Sequence, residues 1–133
     1  MERTTKTGAA APNDERRRRR SHDPLVALHY QLSEARRRGA LDTIVVADGS
    51  GVVVAGAGSW AACEELAAFA PLIHGGSVEG FERVTVRSVD VGGDRVLLCA
   101  RTTSSASEEE KSAHEQAIKH AALGISRILL QAA

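Results

Sequence analysis

The chain has 133 residues, enough for one domain with its own core, and its formal net charge is zero. Charge is unevenly distributed, because residues 1–21 hold seven Lys or Arg against three Asp or Glu, whereas residues 22–133 hold ten against fourteen. No apolar run is long enough for a membrane span or resembles a signal-peptide core, and two cysteines make no disulfide framework. We therefore exclude membrane-spanning and disulfide-scaffold classes and expect a cytoplasmic protein.

The first 21 residues show no apolar periodicity, which predicts a disordered basic tail and leaves residues 22–133 as the folded domain. A run of five arginines in this tail could contact a polyanion, either nucleic acid or an anionic membrane surface. These residues are Arg16, Arg17, Arg18, Arg19 and Arg20. No aromatic side chain stands nearby to stack on bases, so we favour a solvated tail and do not expect nucleic acid as a partner.

An amphipathic helix and a β-hairpin are predicted next. Asp23-Pro24 is a typical helix start, and Gly39 is a typical end. The runs Thr43–Ala47 and Val52–Ala55 flank a tight turn, which is the pattern of a hairpin. Neither run alternates cleanly between apolar and polar residues, so both faces of this sheet should be covered.

The middle helix is predicted from Ala61 to Ile73, with Ser59 as its N-cap and Pro71 kinking or ending it within a turn. Only Glu64 and Glu65 give it a polar side. A helix that is apolar nearly all round is buried nearly all round, so we expect a second copy of the chain to cover it.

The C-terminal half should hold two or three strands and a helix. Residues 77–82 fit either a short edge strand or a loop. In the strand that follows residues 77–82, the alternation of apolar and polar residues is interrupted at Arg87-Ser88, which predicts a bulge or a strong twist. Arg95–Arg101 is apolar on both faces, and the sequence Ser107-Glu108-Glu109-Glu110 is a capping box that starts the last helix.

Residues with catalytic or ligand-binding chemistry form no convincing pattern. The run Gly56–Ala61 matches a dinucleotide-binding motif in letters, but it follows a hairpin strand and is better explained as a glycine-rich turn. The histidines have no metal-ligand spacing, and Cys63 and Cys99 lie in apolar patterns typical of inert core thiols. We therefore expect no enzymatic activity, no metal and no cofactor.

The order of elements resembles the roadblock/dynein-light-chain family, which is related to the longin fold. The matching segments are LDTIVVADGSGVVVAGAG (Leu41–Gly58), EELAAFAPLI (Glu64–Ile73) and LGISRILLQAA (Leu123–Ala133). The resemblance implies an α+β fold, α-β-β-α-β-(β)-β-α, with helices on both faces of an antiparallel sheet. It also implies a non-catalytic scaffold or regulator that forms a homodimer or heterodimer, with its middle helices paired and its sheets joined edge to edge. Its partner would be another protein, and we favour a small Ras-like GTPase, with a motor complex as the other partner that the family uses.

The middle helix supplies the candidate interface for a dimer or a partner. Its alanines are small enough for two helices to approach closely, and a lone tryptophan at a helix start is a common interface anchor. The alternative is that the N- or C-terminal helix of the same chain covers this face, and that the tryptophan folds back on the hairpin. The candidate residues are Trp60, Glu64, Glu65, Ala67, Ala68 and Leu72.

Two other functions remain open from the sequence. A small ligand-sensing domain of the PAS or GAF type also has a central antiparallel sheet, although the low aromatic content argues against a roomy cavity. A nucleic-acid-binding module would act through the arginine run. The sequence does not distinguish a homodimer from a heterodimer.

Overall fold

The computed structural model describes residues 23–102 and 107–132. Within those ranges the chain forms three helices and four strands. They are α1 (Pro24–Arg38), β1 (Thr43–Ala47), β2 (Val53–Ala57), α2 (Trp60–Gly75), β3 (Val84–Val91), β4 (Asp94–Arg101) and α3 (Glu108–Ala132). The predicted α+β class is confirmed, while the predicted disordered tail and its arginine run lie outside the described residues.

The strands form one antiparallel sheet in the order β2-β1-β4-β3, with helices on both faces. Alternation along β1 shows the two layers. Ile44 and Val46 pack with α1 and α3, whereas Val45 and Ala47 pack with α2. A strand buried on both faces needs no polar side, which is why β1 lacks the apolar–polar alternation of a half-exposed strand.

The turn between β1 and β2 is held by the Asp48 carboxylate. Its Oδ1 accepts hydrogen bonds from Ser50 Oγ at 2.7 Å, from Ser50 N at 2.9 Å and from Val52 N at 3.1 Å. These bonds, led by the one from the Ser50 hydroxyl, lower the pKa of Asp48. The neighbouring Gly51 has φ +89°, a conformation that favours glycine.

The bulge lies in a different strand from the one that the sequence predicts. Pairing between β3 and β4 keeps one register throughout, so the bulge alternative at Arg87-Ser88 is wrong. The apolar residues of β3 switch from even to odd positions along the strand because its two ends are covered by different helical layers. Val84 and Val86 pack with α2, and Val89 packs with α1 and α3. The register shifts instead between β1 and β2, opposite Val54.

The segment between α2 and β3 contains no strand, which decides the ambiguity over residues 77–82 in favour of a loop. Phe81 anchors this loop on α2, with its ring centroid 4.8 Å from that of Phe69. Gly80 has φ +90°, and its N–H donates to the Glu82 carboxylate at 2.9 Å. The loop is therefore packed on the domain by one aromatic contact and a local turn.

Helices α1 and α3 lie side by side in opposite directions. A Cβ at Gly39, at the end of α1, would be 2.8 Å from Cβ of Ala117, and a Cβ at Gly124 would overlap the amide group of Gln31. Gly124 is therefore explained by the close approach of α1. The predicted capping box is confirmed, because Ser107 N donates to Glu110 Oε1 at 2.9 Å and Glu110 N donates to Ser107 Oγ at 3.2 Å.

Candidate functional site: the outer face of helix α2

Residues near both ends of helix α2 explain where the helix begins and ends. Ser59 is its N-cap, as predicted, with Ser59 Oγ accepting from Ala62 N at 3.2 Å. Pro71 lies inside the helix, which continues for only four more residues, to Gly75. Proline has no N–H for the carbonyl of Ala67 four residues earlier, and Gly51 of the hairpin turn packs beside that carbonyl.

The helix has one inner side, contrary to the expectation that it is buried all round. Cys63, Leu66, Ala67 and Ala70 are buried against the sheet of the same chain. Ala67 is 0% exposed and was wrongly placed on the interface, because it is a core residue that no second molecule can reach. The sheet, and neither terminal helix, covers this inner side.

The remaining candidate interface residues lie on the outer side of α2. Trp60 is 60% exposed and Leu72 is 62% exposed, so the tryptophan does not fold back on the hairpin. Ala68 and Glu64 are also exposed and lie between them at helical spacing. We call this surface, formed by Trp60, Glu64, Ala68 and Leu72, the outer α2 face. Large apolar side chains exposed together in this way mark a surface for contact with another molecule.

Glu65 has a different role from Glu64, because it belongs to a charge network at the end of the sheet. Its carboxylate lies 3.7 Å from Arg101, the last residue of β4. Arg101 also donates through Nε to Asp42 Oδ2 at 2.6 Å. Arg101 thus ties α2 to the segment before β1. Sequence reasoning missed the contact between Arg101 and Asp42 because these residues are 59 positions apart.

A cleft of about 600 Å³ opens beside this network. Asp42, Glu82, Arg83 and Arg101 line it, so both signs of charge are present. Its carboxylates already accept hydrogen bonds within the chain, from Arg101 at Asp42 and from Gly80 at Glu82. The cleft therefore has a lining of both charges and no single charge to select a small ion.

The glycine-rich run before α2 is explained by packing. A Cβ at Gly56 would lie 2.7 Å from Cys63 Sγ, and a Cβ at Gly58 would lie 3.0 Å from the Asp42 carbonyl oxygen. The strand that leads into it is antiparallel to β1, whereas a dinucleotide site needs a parallel βαβ unit. The glycines thus allow α2 to lie close on the hairpin.

Both cysteines are buried free thiols, Cys63 under α2 and Cys99 in β4. Burial raises the pKa of Cys63, and it raises the pKa of Cys99 to about 12. A thiol of high pKa that water does not reach is a poor nucleophile. His29 is occupied structurally, with Nδ1 at 3.1 Å from the Gly56 carbonyl oxygen.

Neither a metal-binding cluster nor a membrane-spanning helix is present in the described ranges. No three His, Cys, Asp or Glu side chains among residues 23–102 and 107–132 come together as a set that could hold a metal ion. Over the same residues, no helix combines the length and the apolar character that crossing a bilayer requires.

The sheet order and the two helical layers form a roadblock-like fold, as the sequence resemblance predicts. Three solved MglB structures share this fold. MglB of Myxococcus xanthus has 15% sequence identity and a TM-score of 0.57, with 80% of this chain and 97% of that chain covered. The gliding protein MglB of Thermus thermophilus has 17% identity and a TM-score of 0.56, with 80% and 90% covered. An MglB with a tetrameric arrangement has 21% identity and a TM-score of 0.57, with 83% and 93% covered.

These likenesses concern the fold. No protein-family profile matches the chain, and no curated protein matches it.

Proposed function

We propose that this chain is a cytoplasmic, non-catalytic regulator that acts as a homodimer and binds a small Ras-like GTPase. The observation that carries this proposal is the outer α2 face, an exposed apolar surface on a roadblock-type fold. The structural likeness to the MglB proteins supports the same class. Contact with another molecule would remove this apolar surface from water, which is favourable.

The proposed dimer pairs two outer α2 faces and two β3 strands. Ala68 is small and exposed, so a second helix can approach closely there. β3 is one of the two edge strands of the described sheet and, with eight residues, is longer than the other edge strand β2, which has five, so its outer edge can pair with another strand. In the proposed dimer, helix pairing and strand pairing would reinforce each other.

The composition of α2 supports action by contact without a catalytic residue. Proteins that accelerate GTP hydrolysis can do so with an arginine that stabilises the transition-state charge. Helix α2 has no Arg or Lys, and Arg101 next to it is held by the carboxylates of Asp42 and Glu65. We therefore propose that any effect on hydrolysis comes from positioning the catalytic groups of the partner.

The dimer is tested by light scattering after gel filtration. The wild-type chain should have twice the monomer mass, and Leu72→Arg should run as a folded monomer, because two guanidinium groups would then meet in an apolar contact. Leu123→Arg is the matched control, since Leu123 is 70% exposed on α3, which packs on the other face of the sheet from α2. A wild-type monomer at high concentration would overturn the dimer proposal.

Partner binding is tested with purified small Ras-like GTPases from the source genome, each loaded with GDP or with a non-hydrolysable GTP analogue. We expect binding that depends on the nucleotide and that Trp60→Ala weakens by at least about tenfold, as expected for an aromatic interface anchor. Leu123→Ala is the control, because Leu123 is 70% exposed on α3, on the other side of the sheet. If no GTPase binds in either nucleotide state, the partner is of another class.

A further inference from the structure

The second helical layer also presents apolar side chains to solvent. In α1 the buried residues Leu28, Leu32 and Ala35 face the sheet, so Val26 and Tyr30 lie on the opposite side of the helix. Val26 is 41% exposed and Tyr30 is 70% exposed. None of the contacts described above requires these two side chains to be apolar.

Helix α3 repeats this arrangement. Ala117, Ala121 and Ile125 face the sheet, whereas Leu123 and Leu130 point away from it, at 70% and 48% exposure. Since α1 and α3 lie side by side on one face of the sheet, their outward sides form one continuous surface. We call it the α1–α3 face, and its apolar residues are Val26, Tyr30, Leu123 and Leu130.

The part of this face where α1 lies beside α3 is basic. Residues 24–38 and 116–132 together contain five Lys or Arg and one acidic residue. The first eight residues of α3, which precede this part, add one Lys and four Glu, and the described residues outside the two helices contain four Lys or Arg and nine Asp or Glu. On α3, Arg127 is exposed between Leu123 and Leu130, and Lys119 is exposed one turn before Leu123. Arg37 and Arg38 on α1 share one carboxylate, that of Glu34, at 2.6 and 3.1 Å. The cations of this helical layer are therefore concentrated where α1 and α3 lie side by side.

We propose that the α1–α3 face docks on an anionic lipid surface, with its apolar side chains in the headgroup region and its cations at the lipid phosphates. Exposed Leu and Tyr beside Lys and Arg are the two components of interfacial membrane binding, which are burial of apolar area and attraction to anionic lipid. The docking needs no span, since the helices lie along the surface with their inner sides still on the sheet.

Charge and chemistry argue against other occupants. A second copy of this face would bring like charges together, which is unfavourable. A nucleic acid would use the cations but would leave the leucines in water, because phosphate contacts come from charged and polar groups. Residues 1–21, which precede α1 in the sequence, hold seven Lys or Arg against three Asp or Glu.

The experiment is flotation of the full chain with vesicles. One set is an equal mixture of phosphatidylglycerol and phosphatidylcholine, and the other is phosphatidylcholine alone. We expect at least about tenfold tighter binding to the anionic vesicles, weakening at roughly 1 M salt, where the Debye length is about 3 Å. Equal binding to both sets, or to neither, would overturn the proposal.

Two pairs of variants test the face itself. Tyr30→Ser with Leu123→Ser should weaken anionic vesicle binding about tenfold or more, and Val52→Ser, an equally exposed apolar site at the hairpin turn, should leave it unchanged. Lys119→Glu with Arg127→Glu should also weaken it by about tenfold or more, whereas Lys119→Arg with Arg127→Lys should keep it. All positions are exposed, and circular dichroism checks the fold of each variant.

Two further outcomes would show a different occupant. If replacing all five residues Arg16–Arg20 by Gln abolishes binding while the α1–α3 variants do not change it, the tail alone binds lipid and the proposed face is wrong. If a random-sequence DNA duplex binds as tightly as the vesicles and responds in the same way to Lys119→Glu with Arg127→Glu, the face is a nucleic-acid surface. Neither result depends on a dimer or a GTPase, so the outcome is separate from that of the proposed function.

Discussion

Two neighbouring alanines of α2 provide the sharpest test of how this helix is oriented. Ala67 is 0% exposed against the sheet, whereas Ala68 is exposed on the outer α2 face. An arginine at position 67 would overpack the core at a cost of about 1–3 kcal/mol. It would also bury an unpaired charge at a cost of about 3–5 kcal/mol. The sum of about 4–8 kcal/mol approaches the whole free energy of unfolding of a small domain. Ala67→Arg should therefore be largely unfolded.

Ala68→Arg should leave the free energy of unfolding of the single subunit within about 0.5 kcal/mol of wild type, because a surface substitution removes no packing. Urea unfolding followed by circular dichroism, run at several protein concentrations, measures both variants. In the proposed dimer the wild-type midpoint rises with concentration by mass action, and that dependence should vanish in Ala68→Arg. A stable Ala67→Arg together with an unfolded Ala68→Arg would mean that the helix is rotated by one position and that the assigned inner side is wrong.

Three smaller changes test the packing, the turn and the thiols. Gly56→Ala should lower the free energy of unfolding by about 1–3 kcal/mol, since its Cβ would lie 2.7 Å from Cys63 Sγ, and an unchanged urea midpoint would contradict this contact. The hydrogen bond from Ser50 lowers the pKa of Asp48. The Asp48 carboxylate therefore contributes fully to stability above the usual aspartate pKa of 3.8, and this contribution is lost as the pH falls through the lowered pKa of the folded state. Asp48→Asn, which keeps an acceptor oxygen, should make the urea midpoint less sensitive to acid, and an unchanged acid sensitivity would count against this role. Because burial raises the pKa of Cys99 to about 12, a thiol reagent at mildly alkaline pH should label the native chain only after urea is added, and rapid labelling without urea would refute the burial.

Local signals in the sequence were sufficient for the elements and their caps. Asp23 caps α1, Ser59 caps α2 and Ser107 caps α3, each through a hydrogen bond within three residues along the chain. The turn at Asp48 is equally local. Such features could be predicted because both partners of each bond lie in one short window.

The orientation of α2 could not be predicted in the same way. A helix with apolar residues nearly all round has almost no periodicity to show which side faces the sheet, so Ala67 and Ala68 looked equivalent. Because the resembled family pairs its middle helices, the sequence analysis placed both alanines in the interface. Only the packing of Cys63 and Ala70 on the strands assigns the sides.

Contacts between segments that are distant in the sequence also could not be predicted. The contact of Arg101 with Asp42 and Glu65 depends on β4 lying beside β1. The short stretches of sequence around each of these three residues do not indicate that pairing. The parity change in β3 resembled a bulge because the sequence does not show that α2 covers one end and α3 the other. A strand covered on both faces by different elements has no single alternation to detect.

The proposed dimer and the proposed lipid surface are linked by the symmetry of the sheet. If two β3 edges pair in antiparallel fashion, the two-fold axis is perpendicular to the sheet, and α1 and α3 of both copies lie on the same side. The dimer would then present two basic faces to one membrane, and the second contact becomes intramolecular. Leu72→Arg, far from that face, should therefore weaken flotation with anionic vesicles by at least about tenfold while its monomers keep the weak, salt-sensitive binding of a single face. Unchanged flotation of a proven monomer would mean that one face alone suffices or that the two faces do not point the same way.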